Sequence, residues 1–104
     1  MTPRADLARL DALIEQATVD AYDEDEQRTG FHVMLEEQLA MPFQTVVLGV
    51  EVTVEKIDPL AGTGIVAICR RGRDRQAIGI LDLPLPTPRP VGAEWIDAYR
   101  RWEG

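Results

Sequence analysis

The chain has 104 residues, of which 45% are hydrophobic and 28% charged, and its formal net charge is −7. This size and balance predict a single folded domain spanning residues 1–104, not a disordered chain. The acidic excess argues against nucleic-acid binding, because phosphate contacts need clustered Lys and Arg, and it fits a cationic partner, either a metal ion or a basic protein surface. No apolar run approaches the roughly 20 residues of a membrane span and no leader sequence opens the chain, so we expect a cytoplasmic protein without membrane contact.

Two helical patterns occupy the N-terminal part of the chain. Thr2 and Pro3 read as the N-cap and first residue of a helix that is predicted to end near Thr18–Asp20. A second helix is predicted to start close to Asp23, because Asp23 followed by Glu26 is the pattern of a capping box. Apolar residues at helical spacing mark the buried stripes: Leu7, Leu10, Leu13, Ile14 and Ala17 in the first helix, Phe31, Met34, Leu35 and Leu39 in the second.

The second helix carries three further signals. Arg28, His32 and Glu36 recur at i, i+4 spacing on the opposite face, which predicts solvent-side pairs. Gly30 lies mid-helix at a cost of roughly 1 kcal/mol against alanine, so we expect it to permit a close approach of another element. Pro42 disfavours helical geometry at the residue before it and should stop the helix.

From Gln44 onward the hydrophobic period changes to two, which predicts half-buried antiparallel strands. The predicted strands are 44–48, 50–55, the apolar run 65–69 as a central strand, and 77–83. Asp58-Pro59 and Gly62-Thr63-Gly64 are predicted to bracket one turn, and Arg70–Arg75 is predicted to form a hairpin tip.

Prolines at every second position predict an extended connector between the last strand and a final helix, Val91–Trp102. Trp95, Tyr99 and Trp102 lie at i, i+4 and i+7 of that helix, a spacing typical of core residues and less often of a partner-binding face. The whole pattern predicts an α+β fold: two N-terminal helices packed on a small twisted antiparallel sheet of four or five strands, open or closed as an SH3-like barrel, with a C-terminal helix.

Several kinds of chemistry are absent from the sequence. His32 is the only histidine and Cys69 the only cysteine, so one chain cannot build a His/Cys zinc site. The chain contains no serine, which removes serine-based catalytic triads, and we do not expect an enzyme. Cys69 lies in an apolar run and reads as a small buried hydrophobic residue, with a reactive thiol as the alternative. The arginine-rich hairpin reads as a solvated turn, with docking of an acidic group as its alternative.

The excess negative charge is concentrated in the segment from Thr18 to Phe43, where Arg28 is the one basic residue. Its seven acids are Asp20, Asp23, Glu24, Asp25, Glu26, Glu36 and Glu37. Carboxylates stabilise helix N-termini, and several carboxylates together bind hard cations such as calcium, so both interpretations stay open. The segment is not an EF-hand, because a loop starting at Asp23 would have Arg28 at position 6 and Met34 at position 12.

The same segment resembles the signature of the cyanobacterial calcium-binding protein family, the CcbP-like proteins. The resemblance is carried by residues 19–27 (VDAYDEDEQ), Gly30-Phe31, Leu35-Glu36-Glu37 and Pro42-Phe43. It implies a small acidic cytoplasmic protein, with helices on a barrel-like sheet, that binds Ca2+ through acidic side chains. The segment from Asp58 to Gly64 has one acid where the family is richer, which bears on a second calcium site.

Two functions from different classes therefore follow. The first is a calcium buffer or sensor whose first-rank candidate ligands are Asp20, Asp23, Asp25 and Glu26, with Glu24, Glu36 and Glu37 as second-rank candidates. The second is a protein-interaction module, without a metal, whose acidic helix binds a basic partner. A calcium titration separates the two.

Overall fold

A computed structural model describes residues 4–60 and 64–104. Three helices and four strands follow one another in the order α1 (Arg4–Thr18), α2 (Glu24–Gln38), β1 (Phe43–Val47), β2 (Val50–Leu60), β3 (Gly64–Arg71), β4 (Asp74–Gly79) and α3 (Glu94–Glu103). The strands form one antiparallel sheet in the order β1-β2-β3-β4. The predicted α+β fold, with two N-terminal helices, an antiparallel sheet and a C-terminal helix, is confirmed. The predicted helix start at Thr2-Pro3 lies outside the described residues.

Tight turns join the outer strand pairs. Leu48 and Gly49 connect β1 to β2 with φ angles of 50° and 78°, the left-handed conformation that two-residue hairpin loops require. Gly72 and Arg73 connect β3 to β4, with φ at Gly72 of 59°. The predicted hairpin tip at 70–75 is therefore shorter than expected, because its outer residues belong to the β3–β4 ladder.

The structure corrects the boundaries of two predicted elements. Asp58 and Pro59, predicted to open the turn between two strands, continue β2 and pair with β3, whereas Gly62 and Thr63, predicted to close that turn, lie outside the described residues. β1 pairs with β2 only as far as Val54, so the part of β2 containing Pro59 has a free edge where a residue without an amide hydrogen is tolerated. The strand predicted at 77–83 ends at Gly79, where the amide of Asp82 donates to the Gly79 carbonyl at 2.9 Å and forms a turn.

α2 lies at the centre of the packing, in contact with both other helices and with the sheet. It packs against β2 and β3 on one side and contacts both α1 and α3 on others, while α1 also contacts α3. A Cβ atom at Gly30 would lie 1.9 Å from the Ala17 carbonyl oxygen of α1, so the predicted close approach is confirmed. Ala17 itself is buried against this contact.

The aromatic residues of α3 meet α2 in the core. The Phe31 ring lies with its centroid 5.4 Å from Tyr99 and 5.3 Å from Trp102, in tilted arrangements. Phe31, Tyr99 and Trp95 are buried and Trp102 is half-buried, which confirms the core interpretation of the aromatic spacing. Cys69 is also buried, as expected, and burial raises the pKa of its thiol. Within the described residues, every helix is too short or too polar to cross a bilayer.

Candidate metal site

The acidic segment begins where α1 gives way to α2. α1 ends at Thr18, whose hydroxyl donates to the Ile14 carbonyl at 2.8 Å and whose own carbonyl accepts from Ala21 at 3.1 Å. Asp20 follows with φ of 62°, a left-handed conformation that Asp tolerates better than most residues. The chain then turns into α2 by Asp23, so the junction, residues 19–23, presents Asp20 and Asp23 to solvent.

The start of α2 is a capping arrangement. Asp23 is the N-cap, and its Oδ1 accepts a hydrogen bond from the Glu26 amide at 2.8 Å. Glu26 Oε2 in turn accepts from the Tyr22 amide at 2.9 Å, one residue earlier than in the usual reciprocal pattern. The predicted helix start is therefore confirmed, and these hydrogen bonds occupy one oxygen of each carboxylate.

Glu24 and Asp25 face a cation supplied by the same helix. Arg28 Nη2 lies 3.3 Å from Glu24 Oε1, and Arg28 Nη1 lies 3.5 Å from Asp25 Oδ1. The two acid side chains are 75% and 97% exposed, so each ion pair is weak. Both carboxylates remain accessible from solvent.

The interpretation of Arg28 and His32 as solvent-side residues is wrong. The Arg28 guanidinium lies 5.3 Å from the centre of the Trp102 ring, and its Nη2 lies 3.0 Å from Glu103 Oε1. Its side chain is 26% exposed, and both its Nε and the His32 Nε2 are buried without a hydrogen bond among the described residues. The reason is that Arg28 lies seven residues, or two helical turns, before the buried Leu35 and so shares that face of α2, where the C-terminal end of α3 covers it.

The hydrogen bond to Glu103 holds the pKa of Arg28 above its ordinary value, against the opposing effect of burial. The guanidinium therefore stays charged wherever the protein is folded, and a fixed positive charge lies among the acids of the segment. The i, i+4 spacing of Glu24 and Arg28 predicts their ion pair from the sequence. Nothing in the sequence near Arg28 predicts its contacts with Glu103 and Trp102, which are about 75 residues away in the chain.

Glu36 and Glu37 occupy a different part of α2. Both are exposed, and the helix is continuous from Glu24 to Gln38. Ten residues separate Glu36 from Glu26, a rise of roughly 15 Å along the axis. These two acids are therefore remote from the junction carboxylates and cannot share one ion with them.

The donor types at the junction fit calcium, but the side chains are not gathered around a point. Calcium takes carboxylate and carbonyl oxygens, and no backbone amide of the described residues donates to the carbonyls of residues 19–22. At the same time, no three His, Cys, Asp or Glu side chains in 4–60 and 64–104 are arranged to hold a metal ion. A calcium site at this junction therefore requires exposed carboxylates to rotate away from their present contacts.

Comparison with protein-family models identifies the family of this chain. A family model described as calcium binding, that of CcbP, matches residues 11–102. The chain belongs to the CcbP family. The match runs from α1 into α3 and so covers most of the chain, well beyond the segment that carries the sequence resemblance. Comparisons with the curated proteins and with the solved structures gave no significant match.

Proposed function

We propose that this CcbP-family protein binds Ca2+ at the α1–α2 junction and serves as a cytoplasmic calcium buffer or sensor, without enzymatic activity. The first-rank ligands are Asp20, Asp23, Asp25 and Glu26, and Glu24 is a second-rank ligand of the same site. The other second-rank candidates, Glu36 and Glu37, would need a separate ion farther along α2. The observation that carries the location is the density of exposed carboxylates in residues 20–26, beside backbone carbonyls that accept no backbone hydrogen bond among the described residues.

Calcium suits the oxygen donors of this junction better than magnesium does. Calcium accepts about six to eight oxygen ligands in flexible arrangements, so it tolerates donors from a helix junction better than magnesium, which demands octahedral geometry. Exposed side chains reorient at a cost of roughly 0 to 2 kcal/mol of rotamer entropy each, which calcium binding must offset. Asp23 and Glu26 each retain one carboxylate oxygen outside the capping hydrogen bonds.

A second candidate, the protein-interaction module, draws support from the same junction. Val19 is 66% exposed and Tyr22 is 91% exposed, so apolar surface lies beside the acids. Aromatic residues are enriched at protein–protein interfaces. A basic partner would then replace calcium as the counter-charge.

The test is a calcium titration by calorimetry on chelator-stripped protein, with two matched double variants. Asp23→Asn with Asp25→Asn removes two junction charges, and Glu36→Gln with Glu37→Gln removes two charges from the same helix farther along. We expect the junction variant to lose at least tenfold in affinity, about 1.4 kcal/mol, and the distal variant to lose less than threefold. Asparagine caps a helix about as well as aspartate, so the calcium-free stability of the junction variant should change little.

Three outcomes would change the conclusion. If millimolar calcium leaves both the calorimetric trace and the melting curve unchanged, calcium binding is lost and the interaction module takes its place. If affinity survives in the junction variant while its stability falls, those acids serve the helix terminus alone. A loss confined to the distal variant would move the site to Glu36 and Glu37.

A further inference from the structure

Arg28 makes contacts that no other cation of the described residues makes. One guanidinium reaches two carboxylates of α2, Glu24 and Asp25, at 3.3 and 3.5 Å, and the carboxylate of Glu103 on α3 at 3.0 Å. The same group lies over the ring of Trp102 at 5.3 Å. It is thus a positive charge held inside the acidic segment and anchored to the C-terminal end of α3.

We propose that Arg28 is an internal competitor of calcium, occupying Glu24 and Asp25 in the calcium-free protein and lowering the affinity of the junction. The inference rests on the proposed calcium site and adds a residue that tunes it. Its basis is electrostatic: a fixed positive charge hydrogen-bonded to Glu24 and ion-paired with Asp25 repels an incoming divalent cation and competes for the same oxygens. The anchor on α3 matters because it prevents the guanidinium from swinging freely into solvent.

The same anchor links calcium occupancy to α3. Gln27, the neighbour of Arg28, accepts a hydrogen bond from the Trp102 indole nitrogen at 3.0 Å, so two adjacent residues of α2 contact one indole. When calcium takes Glu24 and Asp25, Arg28 retains Glu103 and Trp102 as its partners. The electrostatic environment of the Trp102 indole therefore changes with occupancy, whereas Trp95, which is 5% exposed in the core, is not part of this cluster.

The experiment compares calcium affinities of the full chain with Arg28→Gln, Arg28→Met and the control Arg101→Gln. Arg101 is an arginine of α3 that pairs with Asp11 at 2.7 Å, so its replacement also removes one charge and one exposed ion pair. We expect both Arg28 variants to bind calcium roughly three- to tenfold more tightly than the original chain, and the control to stay within twofold of it. Arg28→Met keeps an unbranched stem over Trp102 and so protects folding if Arg28→Gln does not fold.

A second readout uses the two tryptophan indole N–H resonances in a 1H–15N spectrum, with Trp102→Phe for assignment. Calcium should shift the Trp102 resonance of the original chain more than the Trp95 resonance, and the difference should shrink in Arg28→Met. Equal shifts of both resonances would overturn the link to α3.

The remaining outcomes separate the inference from the proposed function. If the original chain binds calcium and the Arg28 variants match the control or bind more weakly, Arg28 is no competitor, although calcium binding stands. If neither the original chain nor any variant binds calcium, the proposed function fails and the inference fails with it. If both Arg28 variants fail to fold, Arg28 is a structural residue and the competitor role is overturned.

Discussion

Replacing Gly30 with alanine tests the contact that positions α2 against α1 and so the junction that carries the acids. In an ordinary helix interior this change stabilises by about 1 kcal/mol, because glycine has a lower helix propensity. Here the added Cβ would lie 1.9 Å from the Ala17 carbonyl oxygen, whereas an ordinary contact needs at least 3.4 Å. The obstacle is backbone, which cannot rotate away as a side chain can, so α1 and α2 would have to separate by about 1.5 Å.

The expected result is a net loss of stability. Overpacking costs typically 1–3 kcal/mol, and a clash with backbone places this site at the upper end. Subtracting the gain in helix propensity leaves a destabilisation of about 2 kcal/mol, which corresponds to a fall in Tm of roughly 10 °C for a domain of this size. Urea denaturation and thermal melting followed by circular dichroism measure both quantities.

The matched control is Thr29→Ala, the neighbouring exposed residue of α2. Its hydroxyl donates to the Asp25 carbonyl at 3.0 Å in an exposed position, so we expect its stability to stay within about 0.5 kcal/mol of the original. If Gly30→Ala is as stable as this control, α1 and α2 do not approach as closely as described, and the account of Gly30 is refuted.

Two further predictions concern the arginine hairpin and its partner acid. Replacing Arg71 and Arg73 with Ser should leave calcium affinity within twofold by calorimetry; a tenfold drop would show that this turn reaches the calcium site. Hydrogen bonds from Arg70 and Arg75 hold the pKa of Glu55 below its ordinary value, so Glu55 contributes stability above about pH 4.3 that is lost as the pH falls through its folded pKa. Glu55→Gln should therefore be less stable than the original in urea denaturation at pH 7, and the difference should shrink as the pH falls below about 4.3, whereas a difference that grows on acidification would contradict the assignment.

The sequence by itself determined the features that depend on neighbours in the chain. The start of α2 follows from Asp23 and Glu26, because capping hydrogen bonds join residues three or four positions apart. Gly30 predicted a close contact between helices, because glycine has a low helix propensity and the local sequence gives no other reason for it in mid-helix. The density of acids, with the motifs around it, indicated the calcium-binding family that the match over residues 11–102 shows. The individual ligands stay predictions, because composition says which oxygens are available and not which ones converge.

Tertiary structure alone decided the surroundings of Arg28. Helix geometry already disfavours a solvent-facing position for Arg28, because it lies one turn before the buried Phe31 and two turns before the buried Leu35 and so shares their face of α2. The fold brings Trp102 and Glu103, which are about 75 residues away in the chain, over Arg28. The fold likewise allows Pro59 to lie in β2, because β1 does not pair with that part of the strand. Helix periodicity records which side chains share a face, whereas burial depends on which other elements cover that face. Long-range packing is set by the sum of many contacts across the chain, and no single stretch of sequence contains it.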